Sequence, residues 1–337
     1  MKSSLLDTRA PRGVARPAFA WGDPPPEPHP PADAEHLLRR LEWTVLRRLD
    51  GLLQGDYRTL MRGSGLDLAD LREYQHHDDV RHIDWNVTAR VEQPHVRVFT
   101  EDRETTAWFL LDLSPSVAFG SGSRPKQQVS AEFVAVLARL LTRHGNRVGA
   151  LLHGAGHDQT LPVAGGRRQV LQLLRAMQPA PHDADERGPT RLATLLQTAA
   201  HVLRRRAMVF VVSDFISEPG WERPLAALAQ RHDIVAVRLM DPLEQELPDL
   251  GLITLRDAET GELLLVDTHD PAFRQRFNRL AEQRAATLRA ALARTGVDAL
   301  ELSTDGDLLD AVVRFTELRR QRLRASTGGL PRHLNPA

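Results

Sequence analysis

The chain has no cysteine, which excludes disulfides, thiolate nucleophiles and cysteine-ligated zinc or iron–sulfur centres. Lysine is nearly absent too. Lys2 and Lys126 are the only two, and arginine carries the rest of the positive charge. Arginine suits bidentate pairing with carboxylates inside folds and at interfaces, although genomic base composition biases a chain in the same direction. Neither sign of charge is in excess: 44 Lys and Arg balance 44 Asp and Glu, so no global field draws the chain toward nucleic acid or an anionic membrane. No apolar run approaches the roughly 18 residues of a membrane span. The N-terminus has a basic residue but lacks the apolar stretch of a secretory signal. These absences lead to the expectation of a soluble chain, with no membrane insertion, in the cytoplasm.

What is present is the mixture of an ordinary globular protein, 42% hydrophobic and 26% charged over 337 residues, enough for one large domain or two smaller ones. Residues 1–33 are rich in proline, as in "GDPPPEPHPP", and cannot pack a core, so a disordered tail is expected there. Leu37, Leu38, Leu41, Val45, Leu46 and Leu49 recur at helical spacing and predict a helix from about Ala34 to Leu53. It is grouped with a mostly polar segment containing short alternating runs such as "HVRVFTE", giving a small β-containing subdomain over residues 34–104.

From residue 105 the pattern changes. "TAWFLLDLS" and "AMVFVVSD" are short, nearly continuous apolar runs, as in strands buried on both faces. With "RVGALLHG", "DIVAVRLMD" and "DALELST" they alternate with amphipathic helices. That alternation predicts an α/β fold with a doubly wound, Rossmann-like and mostly parallel sheet over residues 105–325. A hairpin with its turn around Glu259 to Glu262 interrupts the alternation, and residues 326–337 are expected to be a loose tail.

Two features carry chemistry. In "LLDLSPSVAFG", Asp112, Ser114 and Ser116 stand where a buried strand ends, the edge of an open α/β sheet at which ligands gather. Residues two apart point the same way. A carboxylate and two hydroxyls suit a hard cation such as Mg²⁺, while a hydrogen-bonded turn that closes the strand is the plainer alternative. Thr190 at a loop-to-helix boundary and Asp214 after the second buried strand belong at the same edge. Singly, these are an N-cap and a turn residue. The second feature is "YQHHDDVRHIDW", whose histidines and aspartates first suggest zinc. The spacing of His76, His77 and His82 in a non-helical segment matches no standard ligand geometry, however.

D-x-S-x-S, a threonine before a helix and an aspartate after a later strand together resemble the metal-ion-dependent adhesion site of von Willebrand factor A-like domains. The resemblance implies that Ser114, Ser116 and Thr190 supply metal-facing oxygens and that Asp112 and Asp214 sit close by, often acting through water. One coordination position is left for a partner's carboxylate, and the cofactor implied is Mg²⁺ or Mn²⁺. "REYQHHDDVRHIDWNVTAR" is similar to the hallmark of the bacterial domain-of-unknown-function 58 family, through Arg72, Tyr74, Asp78, Asp79, Arg81, Ile83, Asp84, Trp85, Ala89 and Arg90. His77 replaces the family's usual glycine. On this reading Asp78, Asp79 and Asp84 face Arg72, Arg81 or Arg90 with Trp85 packed beneath. The lattice is either structural or a partner-binding surface.

The family implies a MoxR-type AAA+ ATPase as partner, and a non-enzymatic adaptor that helps assemble or mature an unknown client protein complex. No nucleic acid is expected. The basic runs "RRRAMVF" and "RRQRLRAS" lack interleaved aromatics and read as solvated helix ends. "GSGSRPK" lacks the ending of a phosphate loop. No catalytic residues are assigned. The alternative is a Mg-dependent hydrolase acting on phosphoesters, with His153 as a possible base.

Overall fold

A computed structural model describes residues 34–46, 48–49, 70–75, 80, 83, 85–98, 106–154, 158–178, 190–256 and 262–325. The expected tails, the hairpin turn and most of the acidic and histidine positions of the hallmark lie outside them. In chain order the elements are α1 (Ala34–Leu41), continued by a π turn (Glu42–Leu46), β1 (Asp70–Glu73), α2 (Trp85–Val91), β2 (His95–Val98) and β3 (Thr106–Asp112). After a 3₁₀ turn (Pro115–Ala118) come α3 (Lys126–Arg143), β4 (Arg147–His153), β5 (Gln159–Ala164), α4 (Gly166–Ala176), α5 (Leu192–Val202) and β6 (Met208–Ser213). Then follow α6 (Glu222–Ala229), β7 (Asp233–Met240), the single turn α7 (Pro242–Gln245), β8 (Leu252–Arg256), β9 (Leu263–Asp267), α8 (Pro271–Thr295), β10 (Asp298–Ser303) and α9 (Leu308–Ala325).

Six strands form the main sheet in the order β10-β7-β6-β3-β4-β5, all parallel except β5. β3 and β6 are central and apolar throughout because helices cover both faces. Ala107, Phe109 and Leu111 of β3 enter one core with α1, α3, α4 and α9, whereas Trp108 and Leu110 enter the other with α5, α6 and α8. The two-residue period of a strand thus divides one apolar run between two cores. Across the β3–β6 pair Phe109 stacks on Phe210 with centroids 5.3 Å apart, and Phe133 of α3 meets Phe210 edge-on.

Because the chain adds β4 on one side of β3 and later returns to place β6 on the other, the order of strand addition reverses there, the position at which an open α/β sheet leaves a crevice at the carboxyl ends of its strands.

Several elements differ from what the sequence suggested. β5 is an antiparallel edge strand carrying Pro162, a residue edge strands tolerate, and its partly exposed residues give no apolar run. β1 and β2 pair as a separate antiparallel ribbon. The N-terminal helix, grouped in the sequence with the hallmark segment, packs into the main core. Leu37, Leu38 and Leu41 are buried there, and ion pairs Arg40–Glu132 (2.7 Å), Arg139–Glu42 (2.7 Å) and Arg167–Glu35 (2.7 Å) tie it and its π turn to α3 and α4. Arg319, the first arginine of "RRQRLRAS", is not solvated: it is buried and pairs with Asp233, with Asp298 at 3.9 Å. The strand-end carboxylates of β7 and β10 draw it inward.

Because Leu38 belongs to the main core, Leu38→Ala should lower the stability of the whole domain by about 3 kcal/mol, measured by urea unfolding. An unchanged main transition would show that α1 folds independently of the sheet.

Candidate functional site

The crevice is lined by the loops that follow β3 and β6. β3 ends at Asp112, whose carboxylate is buried and bonded on both oxygens: Ser114 N–H donates to Oδ1 (2.9 Å) and Ser213 Oγ to Oδ2 (2.6 Å). The short helical turn after Ser114 brings the Ser114 and Ser116 hydroxyls to 3.1 Å from one another. β6 ends at Ser213, and Asp214 follows; its Oδ1 accepts the Ile216 N–H (3.0 Å). Phe215 between them adopts φ 59, in the left-handed region that costs a non-glycine residue on the order of 1 kcal/mol or more. Packing of its ring against Trp221 and the Phe215 N–H bond to Ser213 Oγ (2.9 Å) hold that conformation.

The structure thus brings Asp112, Ser114, Ser116 and Asp214 to one edge. Thr190 is buried just before α5, and its carbonyl accepts from Ser217 Oγ (2.9 Å) and Glu218 N–H (3.0 Å), which ties it to the segment that follows Asp214. Thr190 is not the N-cap of α5. That position is Arg191, and the Leu192 N–H is accepted by Ser217 Oγ (3.0 Å) from the neighbouring loop. Gly154, after β4, supports the cradle from below. It has φ +118, and a Cβ there would stand 2.8 Å from Ser114 N and 2.9 Å from Leu113 C.

Lys126, the first residue of α3, is the residue that sequence reasoning missed. Its ammonium is fully buried, 2.7 Å from Asp214 Oδ2 and 2.6 Å from Glu244 Oε1. Burial opposes the charge, but Asp214 and Glu244 outweigh it and raise the Lys126 pKa above the ordinary lysine value. Glu244 itself is raised, chiefly by burial and only partly offset by Lys126. The 2.6 Å contact with the Lys126 ammonium favours the charged pair. Glu244 Oε2 accepts the Asp241 N–H in a capping box at the start of α7. Asp241 is buried, and accepts from Ser121 N–H (2.9 Å), Thr304 Oγ1 (2.8 Å) and Leu243 N–H (3.0 Å).

"GSGSRPK" therefore closes a loop between β3 and α3 and delivers Lys126, with Gly120 so close to Pro125 that a Cβ would fall 2.5 Å from its Cα. The signal in the sequence is compositional: one of only two lysines in a chain that otherwise uses arginine marks a position suited to a compact point charge.

Two hydroxyls beside two carboxylates are donors of the kind a hard divalent cation takes. The Ser114 and Ser116 hydroxyls hydrogen-bond to one another at 3.1 Å, and an octahedral ion with bonds of about 2.1 Å would hold adjacent oxygens at a similar separation of about 3.0 Å. Asp112 and Asp214 lie close enough that the second raises the pKa of the first; burial and this repulsion together push Asp112 up to about 6. Among the described residues no group of three His, Asp or Glu is arranged to hold a metal. His76, His77, His82, Asp78, Asp79, Arg81 and Asp84 lie outside them. Tyr74 N–H donates to the Pro94 carbonyl (2.8 Å) beside the β1–β2 ribbon, which contains Arg72. Arg90 is exposed on α2. Trp85, expected to pack beneath the hallmark, is 70% exposed. It opens a two-turn helix that also leaves Val91 exposed.

Strand order and the strand-end site together define the class, a doubly wound α/β domain with a mostly parallel sheet and a polar cluster at its switch point. A family model described as "Protein of unknown function DUF58" matches residues 70–287, and the chain belongs to that family. It is 36% identical over 321 residues to the uncharacterized protein Rv1480 of Mycobacterium tuberculosis, with 94% of this chain and 98% of that one covered. The uncharacterized protein Mb1516 of Mycobacterium bovis matches with the same identity and coverage. Among solved structures, an aerotolerance-related membrane protein of Bacteroides fragilis is 13% identical with a TM-score of 0.40, covering 65% of this chain and 99% of that one. The SpRpn10 VWA domain is 14% identical with a TM-score of 0.35, covering 62% and 94%. No helix among the described residues is long and apolar enough to cross a membrane.

Gly154→Ala should destabilise the fold by about 2 kcal/mol, because it combines a positive φ with a backbone collision at Ser114; thermal unfolding measures it. A second expectation concerns pH. Folded Asp112 keeps its proton up to about pH 6, whereas in the unfolded chain it loses it near about pH 4. The folded state binds more protons across that window, so stability falls as pH rises through it. In chelator, Asp112→Asn should remove this fall, gaining about 3 kcal/mol on the wild type between about pH 4 and pH 7. Parallel stability curves would show that Asp112 does not titrate there.

Proposed function

We propose that this protein is a non-enzymatic, metal-dependent protein-binding adaptor. The observation that carries the reading is the pair of hydroxyls, Ser114 and Ser116, set 3.1 Å apart beside two buried carboxylates at the crevice of a doubly wound sheet. Ser114, Ser116 and Thr190 would hold Mg²⁺ or Mn²⁺, with Asp112 and Asp214 neutralising it from behind. Bound there, the ion supplies an open coordination position for a partner's Asp or Glu carboxylate.

The chain's own residues do the rest. Ser213 and the Ser114 N–H orient Asp112, and Ile216 N–H orients Asp214. Phe119 and Ile216, 40% and 50% exposed on the loops after β3 and β6, supply an apolar rim against which a partner would exclude water. Exposed Trp85 favours the partner-facing reading of the hallmark.

The partner proposed is a MoxR-type AAA+ ATPase, with the pair serving assembly or maturation of a client complex. One observation favours the hydrolytic alternative. His153, in register with Asp112, has Nδ1 2.6 Å from Asp158 Oδ1, the arrangement of an oriented base.

Binding of a MoxR-type ATPase to the purified chain, measured by calorimetry with and without Mg²⁺, tests the proposal. Binding should require the ion and fall at least tenfold in Ser114→Ala/Ser116→Ala. Binding indifferent to ion and substitution would remove the metal-mediated mechanism. Phosphoester turnover lost in both Asp112→Asn and His153→Ala would favour the hydrolase.

A further inference from the structure

Lys126 is the part of this site that a divalent-cation reading does not use. Its Nζ lies on Asp214 Oδ2 and the Ile216 N–H on Oδ1, so groups of the chain already occupy both oxygens of that carboxylate. Two terms oppose the placement. The ammonium is stripped of water, and as the first residue of the 18-residue α3 it sits at the helix end whose aligned peptide dipoles repel a cation. What holds it is the pair of carboxylates, Asp214 from the end of β6 and Glu244 from α7, with the Phe119 ring centroid 5.8 Å away.

We propose that Lys126 is a built-in cation of this site: its ammonium holds Asp214 and Glu244 when no divalent ion is bound and keeps the affinity of the serine cradle for such an ion low. The inference rests on the metal reading of Ser114 and Ser116 given above. An ion entering beside those hydroxyls meets the ammonium across Asp214, in an interior where charges are poorly screened. The ion either shares Asp214 with Lys126 or drives the ammonium toward Glu244, the other carboxylate already in contact with it. A partner's carboxylate adds the negative charge the site then lacks, so ion and partner bind together rather than in sequence. Partner engagement is thereby coupled to α7, which leads into the β8–β9 hairpin, where Leu263, Leu264 and Leu265 are exposed.

Mn²⁺ binding to the full chain, followed by electron paramagnetic resonance and titration calorimetry, tests this. Lys126→Gln should bind Mn²⁺ at least tenfold more tightly than the wild type, and Lys126→Arg, which keeps the charge, no more tightly. Adding Ser114→Ala/Ser116→Ala to Lys126→Gln should abolish the gain, which locates the ion in the cradle. Glu244→Gln removes a negative charge and leaves the ammonium to Asp214 alone, so Mn²⁺ binding should weaken severalfold. That variant decides the matter if Lys126→Gln does not fold. Unchanged or weaker binding in folded Lys126→Gln, or unchanged or tighter binding in Glu244→Gln, overturns the proposal and leaves the metal reading intact. If neither the wild type nor Lys126→Gln holds Mn²⁺ in the cradle, both readings fall together.

Discussion

The buried contact of Lys126 with Asp214 and Glu244 links three separate pieces of chain: the start of α3, the loop leaving β6 and the turn that opens α7. A buried charge with a partner removed is costly, about 3–5 kcal/mol, so each of these pieces constrains the other two. The neighbouring hydrogen bonds extend the same constraint. Asp241 holds the loop before α3 through Ser121 and the end of β10 through Thr304, and Glu244 closes the capping box on Asp241. The whole carboxyl edge of the sheet is therefore organised by charged groups turned inward, while apolar packing does the same work for the two faces.

That division follows from topology. A strand with helices on both sides has no solvent-facing residues along its length, and β3 and β6 consequently place their polar groups at their ends. Asp112, Ser213 and Asp214 lie where the ladder stops and backbone donors become available, which is why the Ser114, Phe215 and Ile216 N–H groups all bond to side chains there. The strained Phe215 and the close approach of Gly154 to Ser114 belong to the same economy of space. Positions of this kind, held in unfavourable conformations by their surroundings, concentrate at working sites.

Family membership joins the chain to mycobacterial relatives over nearly its full length. Exposed apolar residues include Trp85 and Val91 on α2, Phe119 and Ile216 at the crevice and the leucines of β9, together with Trp43, Leu280 and Leu318 on the helical layers. Phe119 and Ile216 are on loops, Trp85 and Val91 on a short helix and the leucines of β9 on a hairpin outside the main sheet, positions of the kind that carry contacts on a rigid scaffold.

Much of the fold was legible from the chain alone. Continuous apolar runs such as "TAWFLLDLS", alternating with helices, read as strands buried on both faces, and the D-x-S-x-S motif marked a strand end, although a 3₁₀ turn rather than strand alternation brings the Ser114 and Ser116 hydroxyls together. Illegible were the features that depend on who becomes a neighbour. β5 has too little burial to leave an apolar pattern, α1 joins the main core through ion pairs some 90 residues away in sequence, and Arg319 turns inward to Asp233. Lys126 stood in a glycine-rich stretch that local reasoning dismissed. Its role arises only when Asp214 and Glu244, 88 and 118 residues along the chain, are folded against it. Local periodicity and strand-end spacing are properties of the chain itself, so the sequence determined the sheet and the candidate cradle. Long-range electrostatics are not local properties, so only the tertiary structure decided which cation that cradle already faces.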